Sequence, residues 1–555
     1  MAAKGQTQAH LGVRSGFAAF LLAAAIVCIA LCSCAAPDET ARTDAGISSE
    51  YLTILDEEPD SLDPQLISED YTVALNVFDR LVEVVDEGDG NVLGPSLAES
   101  WTVSDDGLVY TFKLREGVTF SNGSPLTSSD VGFTLSRLIT HPDSRNRDLA
   151  LDILGASALH EGAADDLAGF KEIDDLSFSI TLERPSAPFL EGLSTPGASI
   201  LDEQTVTELG DAFGSTVEDT VGTGPFVVAG WNAGKEIVLT ANKSCWLGAP
   251  KCAGVRIMFY TENDPLLEMY ESGQMDILDL DKLGMDAEYF LRGDKYRRNI
   301  VRGQRVGISY IALNESIGPL SDARVRKALQ LSLDRQTMLQ AAIGGRGTLE
   351  NGIFPRGLTG HNNDLAEIPY DPDEARRLLE EAGYGNGFDL ELSYSSSSPQ
   401  SVKDTLELAA SMWGKIGVDA ALVELDDDEF LARRRAGELA CYTGTWSADY
   451  NDPDNFVTPF FGSAENTVSR SLCYEDEEVM RRIGDARAIL DGDARIAEYQ
   501  DLERKIVQED AAWIPLWSKL HFFVVADGVE GFEVRWNGWS SNRYDGVSVT
   551  RGGRR

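Results

Sequence analysis

Two hydrophobic periods alternate along the chain. Tyr51 to Asp56 reads YLTILD, a short strand that runs into the Pro-rich turn EEPDSLDPQL. In SEDYTVALNVFDRLVEVV, Val73, Val77 and Leu81 recur at helical spacing, which predicts one helix because positions three and four apart share a face. In LAESWTVSDDGLVYTFKL the period drops to two, with Val109, Thr111 and Lys113 set against Tyr110, Phe112 and Leu114. That alternation, with DDG as its turn, predicts a β-hairpin. Thr127 and Asp130 then form a capping box at the head of an amphipathic helix. A second hairpin is legible in FVVAGWNAGKEIVLTAN, with Asn232, Ala233 and Gly234 as its turn.

Beyond residue 300 helices and strands take turns. SDARVRKALQLSLDRQTMLQAA reads as one helix. DPDEARRLLEEAGYG reads as another, with Asp371 as N-cap, Pro372 at the first position and Gly383 as its stop. The strand FDLELSYS, the helix SVKDTLELAASMWGKIG and the strand VDAALVELD follow. Strands separated by helices imply an α/β fold with a parallel or mixed sheet. A set of short strands, WIPLWSKLHFFVVADGVEGFEVRW, closes the pattern. A chain of 555 residues exceeds what one core holds, so two or more lobes are expected.

The first 33 residues have a different character. Lys4 and Arg14 precede the uncharged run Phe17 to Leu31, the layout of an export signal; the run is shorter than the roughly 20 residues a spanning helix needs. LCSC, ending at Cys34, resembles a bacterial lipobox, which implies a lipid anchor on Cys34 and a polar tether over residues 34–50. The chain has 48 basic and 91 acidic residues, a formal net charge of −43. Such a balance excludes nucleic acid as partner, because no cationic surface is available to release phosphate counterions. Cys245, Cys252, Cys441 and Cys473 make an even number in an exported chain, and sequence order suggests disulfides from Cys245 to Cys252 and from Cys441 to Cys473. The five histidines are scattered singly, so neither a metal site nor a cofactor is expected.

Thr445 to Phe456 reads TWSADYNDPDNF, with Asp449, Asp452 and Asp454 interleaved among Trp446, Tyr450 and Phe456. Four chemistries use acids and rings this close together: a metal cage, a catalytic acid pair, a turn, or a grip for a cation. A calcium loop starting at Asp452 would need polar and glycine positions where Phe456 and Val457 stand. A glycosidase needs two carboxylates across a leaving-group slot, which no flanking pattern suggests. NDPDN reads as a turn, with Asp452 and Asn455 capping backbone.

Several segments, in order, carry a resemblance. They are SLDPQL, LAESWTVSDDGLVYTFKLREGVTFSNGSPLTSSDV, GTGPFVVAGW, NKSCWLGAPK, YIALNESIGPLSDARVRKALQLSLDR, YDPDEARRLLEEAGY and TWSADYNDPDNF. Together they resemble the family 5 extracellular solute-binding proteins, the oligopeptide- and dipeptide-binding receptors of ABC importers. The resemblance implies a two-lobed periplasmic-binding-protein-like clamp of mixed sheets with an extra inserted subdomain. One lobe would take residues 51–74, 200–295 and 510–550, the insert 75–199, and the second lobe 296–509. It also implies a monomeric, non-enzymatic receptor that swallows a peptide and presents it to a permease and its ATPase subunits. Asp449 would pair with the ligand's α-ammonium, Trp446, Ser447 and Tyr450 would wall it, and Ser68, Tyr71 and Thr72 would offer main-chain groups. Asn314 lies at the lobe-crossing strand, as a ligand contact or equally as a hinge or core residue. Dipeptide-type members carry a basic residue after a strand like FDLELSYS; here SSSSPQS follows, with Lys403 the nearest cation. Longer or blocked peptides are therefore the expected cargo, with a nickel chelate, haem or an oligosaccharide as alternatives. A secreted hydrolase is the alternative of another class, but G-x-S-x-G, HExxH and a plausible Cys–His pair are all missing.

Overall fold

A twelve-stranded mixed sheet organises the chain. The computed structural model describes residues 50–550 except 69, 87–90, 262–263 and 538–540; the export signal, Cys34 and the tether lie outside these described residues. The strands are β1 (Tyr51–Asp56), β2 (Phe226–Asn232), β3 (Glu236–Ala241), β4 (Gly254–Phe259), β5 (Ile277–Asp279), β6 (Ile300–Gln304), β7 (Gly307–Leu313), β8 (Gly347–Leu349), β9 (Phe388–Ser395), β10 (Val418–Leu425), β11 (Cys441–Ser447) and β12 (Trp513–Val525). Their order is β10-β9-β11-β7-β12-β5-β1-β4-β3-β2, with β6 and β8 also pairing with β12. β9 and β10 run parallel through the helix Gln400–Gly414, and β1 is parallel to β4. The remaining joins include antiparallel ones, such as β7 against both β11 and β12.

β12 crosses from one core to another. Trp513, Ile514, Leu516 and Trp517 belong to the core built on β7, β9 and β11, whereas Phe523 and Val525 belong to the core built on β1, β3 and β4. A third core, from Leu81 to Val221, surrounds the four-stranded sheet of Ala98–Val103, Val109–Leu114, Phe170–Asp174 and Ser177–Thr181. The middle of β12, Lys519 to Phe522, is only partly buried, because it faces the space between the cores.

Local signals fold as their chemistry dictates. The DDG turn places Gly107 at φ 71°, and Asn232 to Gly234 joins β2 to β3 with Gly234 at φ 70°. The capping box closes as Thr127 N–H donates to Asp130 Oδ2 at 2.8 Å. Asp371 caps Pro372–Glu381, accepting from Glu374 N at 2.9 Å.

Three expectations need correction. The helix expected across SEDYTVALNVFDRLVEVV covers only Thr72–Val77. Gly224 N–H takes the Val77 carbonyl at 2.9 Å, so the helical bond to residue 81 is replaced, and the β-branched VEVVD becomes a strand paired with Asn91–Pro95. The long helix after Asp322 is two, Ala323–Leu331 and Arg335–Ile343. Asp371 N–H and Trp413 Nε1 capture the carbonyls of Leu331 and Leu329, and Asp334 caps the restart through Thr337 N at 3.0 Å. The short strands expected at the C-terminus are mostly one thirteen-residue strand, β12, because each half finds its own partners.

The disulfides are also corrected. Cys245, Cys252, Cys441 and Cys473 are all free. Cys441 opens β11 with its side chain fully buried in the core, while Cys473 sits in a turn at φ 48° with Sγ 3.9 Å from the Gly437 carbonyl. Burial pushes the Cys252 thiol up to about 11 and the Cys441 thiol higher still.

Candidate ligand cavity

Where the three cores and a smaller fourth one, around Leu266, Tyr270 and Phe290, face one another they leave a cavity of about 2010 Å³. That is about twice the upper end of ordinary small-ligand pockets, roughly 1,000 Å³. Its lining comes from β1, β5 and the 260–283 stretch on one side, from β7, β11 and the 443–470 stretch on the other, and from residues 145–152 and 188–195 of the third core. Eleven lining residues are Asp or Glu and six are Lys or Arg, so the wall is as acidic as the chain.

β11 delivers TWSADYNDPDNF to this wall. Trp446, Ser447, Asp449 and Tyr450 all line the cavity. The loop is held by Asn455, in the first turn of the helix Asp454–Phe461. Asp449 N–H donates to Asn455 Oδ1 at 3.0 Å, Asn455 Nδ2 donates to Asp449 Oδ2 at 3.0 Å, and Trp446 Nε1 donates to the Asn455 carbonyl at 2.8 Å. Asn455 therefore sets the carboxylate through its side-chain amide and the indole through its main-chain carbonyl. Tyr450 donates to Asp454 Oδ2 at 3.2 Å, and burial pushes its phenol well up. Asp452 is 1 % exposed and takes a two-pronged ion pair from Arg495, with Nη1 at 2.9 Å from Oδ1. Asp454 accepts from Thr458 at 2.5 Å and from Tyr499 at 3.2 Å. These two acids hold the loop.

On the facing wall, Ser68 and Tyr71 line the cavity; Tyr71 donates to the Ile67 carbonyl at 3.2 Å. Two sequence expectations fall away from the lining. Thr72 is buried behind the wall and donates to Asp56 Oδ2 at 2.6 Å, so its hydroxyl serves Asp56. Asn314 is fully buried; its Nδ2 donates to the carbonyls of Gly437 and Leu439, each at 2.9 Å, and its Oδ1 accepts from Ser316 N. Asn314 is a strut for the turn into β11, because those carbonyls lack a strand partner.

Sequence patterns gave no hint of several lining groups. Lys282 Nζ lies 3.4 Å from Asp56 Oδ1 and 4.1 Å from the centre of the Tyr260 ring. Burial alone would lower its ammonium, but Asp56 and Tyr260 raise it above the ordinary value. Asp70, at φ 53°, has its carboxyl pushed up to about 8 by burial and then by the Asp56 charge. Asp281 meets His521 Nδ1 at 2.6 Å and Lys519 at 3.1 Å. Burial would raise Asp281, yet those two partners outweigh it and hold the carboxyl at about 2. Arg487 spans to the third core, with Nη2 3.0 Å from Asp152 Oδ2 and its carbonyl accepting from Ala187 N at 2.8 Å. These groups are far apart in sequence. Only Asp70, inside SEDYT, sat beside residues the sequence had singled out.

Among the described residues no group of three or more His, Cys, Asp or Glu is placed to hold a metal ion, and no helix is long and apolar enough to cross a membrane. A large cavity walled by separate cores joined through shared strands fits a solute-binding clamp. Residues 92–467 match the family described as bacterial extracellular solute-binding proteins, family 5 Middle, and the chain belongs to that family. It is 29% identical over 558 residues to heme-binding protein A of Haemophilus influenzae, covering 96% of this chain and 99% of the relative. It is 28% identical over 488 residues to a probable D,D-dipeptide-binding periplasmic protein of Escherichia coli, covering 86% and 89%. The solved structure of HbpA2 from Haemophilus parasuis is similar with a TM-score of 0.73 at 26% identity, over 90% of this chain and all of that one.

Proposed function

We propose that this extracytoplasmic binding protein captures peptides in the cavity and delivers them to the permease of an ABC importer. It performs no chemistry. Asp449 takes the α-ammonium of the guest, Trp446 and Tyr450 offer flat walls that suit varied side chains, and Ser68 and Tyr71 contribute from the facing wall. The proposed lobes are residues 51–74, 200–295 and 510–550 on one side and 296–509 on the other, with 75–199 packed as an insert. The protein acts as a monomer, tethered through a lipid on Cys34. The observation that carries the reading is Asp449 on the wall of a large acidic cavity, oriented there by Asn455. A carboxylate meeting an ammonium away from bulk water forms a charge-assisted hydrogen bond.

The full-length similarity to a heme-binding protein supports a second reading, haem as cargo. The lining argues against it: His521, the histidine among the described lining residues, is engaged with Asp281 and is not free to take the iron. Calorimetry with free-amine tri- and tetrapeptides against haemin decides the matter. Peptide heats with silent haemin are expected; tight haemin binding with no peptide heat would sink the peptide reading.

A further inference from the structure

Arg470 lines the cavity beside the Asp449 loop, and its guanidinium lies on aromatic rings rather than on a carboxylate. Of the other lining cations, Lys282, Lys519 and Arg487 each face a carboxylate at 3.4 Å or less. Arg470 makes no ion pair or side-chain hydrogen bond with any described residue. Its guanidinium is stacked 4.8 Å from the centre of the Trp446 ring and 5.2 Å from that of Phe460.

The stack is rigid on every side. Trp446 is locked by its bond to the Asn455 carbonyl and packs edge-on against Phe460 at 5.2 Å. The Arg470 backbone follows the helix Ala464–Ser469, and its carbonyl accepts from Tyr442 at 2.8 Å. Ser471 then turns at φ 48° and donates its hydroxyl to the Arg434 carbonyl at 2.8 Å. Arg434 brings a second uncompensated cation: its Nε is buried with no hydrogen-bond partner, and it has no ion pair among the described residues. Burial first, and the like charge of Arg434 among the rest, lower the Arg470 guanidinium from its ordinary value. Asp449 contributes the opposing negative field. A planar guanidinium fixed on an indole, open to a cavity, with its donors unspent, suits a carboxylate.

Resting on the peptide reading above, we infer that Arg470 forms a carboxylate subsite beside the Asp449 ammonium site, so that preferred guests carry a negative group close to their amino end. The carboxylate has two possible sources: an acidic side chain in the first residues, or the C-terminus of a very short guest. An acidic cavity repels anions at long range, but Coulomb energy falls with distance, and at contact the Arg470 guanidinium is the nearest charge.

Calorimetry on the full chain with four probes separates the outcomes: Glu-Ala-Ala-amide, Gln-Ala-Ala-amide, free Ala-Ala and Ala-Ala-amide. A charge-assisted bond predicts a preference of about ten- to hundredfold for Glu over Gln in the amidated tripeptides, or for free over amidated Ala-Ala. Arg470→Gln should erase that preference while Gln-Ala-Ala-amide binds within about threefold of its original affinity; Arg470→Lys should restore part of it. Either preference, lost in Arg470→Gln, supports the subsite and names its source. Equal binding of both members of both pairs by the unaltered protein, or a preference that survives Arg470→Gln, overturns this inference and leaves the peptide reading standing. Silence with all four probes overturns both.

Discussion

Asp449→Asn is the sharpest perturbation of the proposed site. The amide keeps the shape of the carboxylate, so Asn455 Nδ2 still finds an acceptor and Asp449 N–H still has Asn455 Oδ1 at 3.0 Å. What is lost is the charge. A hydrogen bond to a charged group contributes about 1.5–3 kcal/mol net, or roughly 10- to 150-fold in affinity. The larger figure of about 3–5 kcal/mol for breaking a buried pair is not expected, because Asp449 is partly exposed to the cavity. Loss of affinity alone does not identify the partner, so the assay is a cycle. Affinities of Ala-Ala-Ala and of its N-acetylated form are measured by calorimetry for the unaltered protein and for Asp449→Asn. If carboxylate and ammonium meet, acetylation costs the unaltered protein about 1.5–3 kcal/mol and the variant little. Equal penalties in the two proteins would mean that Asp449 reads something other than the amino end, and the reasoning would fail.

Three further outcomes follow from packing and burial. Asp452→Ala strands the Arg495 guanidinium, itself 8 % exposed, and should cost about 3–5 kcal/mol in urea unfolding; an unchanged midpoint would show that the pair holds nothing. Glu503 is 1 % exposed, accepts from Ile353 N at 2.7 Å and Phe354 N at 2.9 Å, and has its carboxyl pushed up to about 8 by burial. A folded-state value above the unfolded 4.5 means the folded chain holds the extra proton, so this group's contribution to stability falls as pH rises from about 4.5 to about 8, by up to about 1.4 kcal/mol per unit. Glu503→Gln should flatten that slope in unfolding curves taken across the window, and an unaltered slope would refute it. Finally, alkylation of the unreduced, denatured protein followed by peptide mapping should label Cys245, Cys252, Cys441 and Cys473; protection of any pair would restore a disulfide.

What was legible in the sequence was whatever the chain decides within a few residues. The Thr127–Asp130 box, the turns at Gly107 and Gly234, and the Asp371–Pro372 helix start are local geometry, and each appears where the pattern put it. The acid and aromatic loop was visible because Trp446, Asp449 and Tyr450 are neighbours in sequence as well as on the cavity wall. What stayed hidden depended on partners brought from afar. Gly224 ends the helix at Val77 from almost 150 residues away, a bond no window of sequence contains. β12 reads as several strands because its apolar residues pause at Ser518 to His521, and that pause is the stretch facing the cavity. Asn314 has the composition of a contact residue, but two carbonyls from the turn before β11 claim its amide. Arg470 is one arginine among many until the fold lays it on Trp446.

Closure and recognition then come down to the same electrostatics. Among the described residues, bonds from the third core to the core built on β7, β9 and β11 include Asn451 Nδ2 to the Asn91 carbonyl at 2.8 Å, Asn91 Nδ2 to the Gly357 carbonyl at 3.1 Å, Ala187 N–H to the Arg487 carbonyl at 2.8 Å, and Arg487 to Asp152. Each contributes only about 0.5–1.5 kcal/mol net, and the lining carries more acidic than basic side chains, several of the acids being paired with lining cations. Shifting a clamp from almost always open to almost always closed takes about 5.5 kcal/mol of differential affinity. One ammonium bond of about 1.5–3 kcal/mol, with a few backbone bonds to the facing wall, reaches that figure, while a neutral guest of the same size lacks the ammonium bond. On the proposed reading, an excess of acid that would be a defect in a core serves a receptor, since it favours a guest that brings a cation.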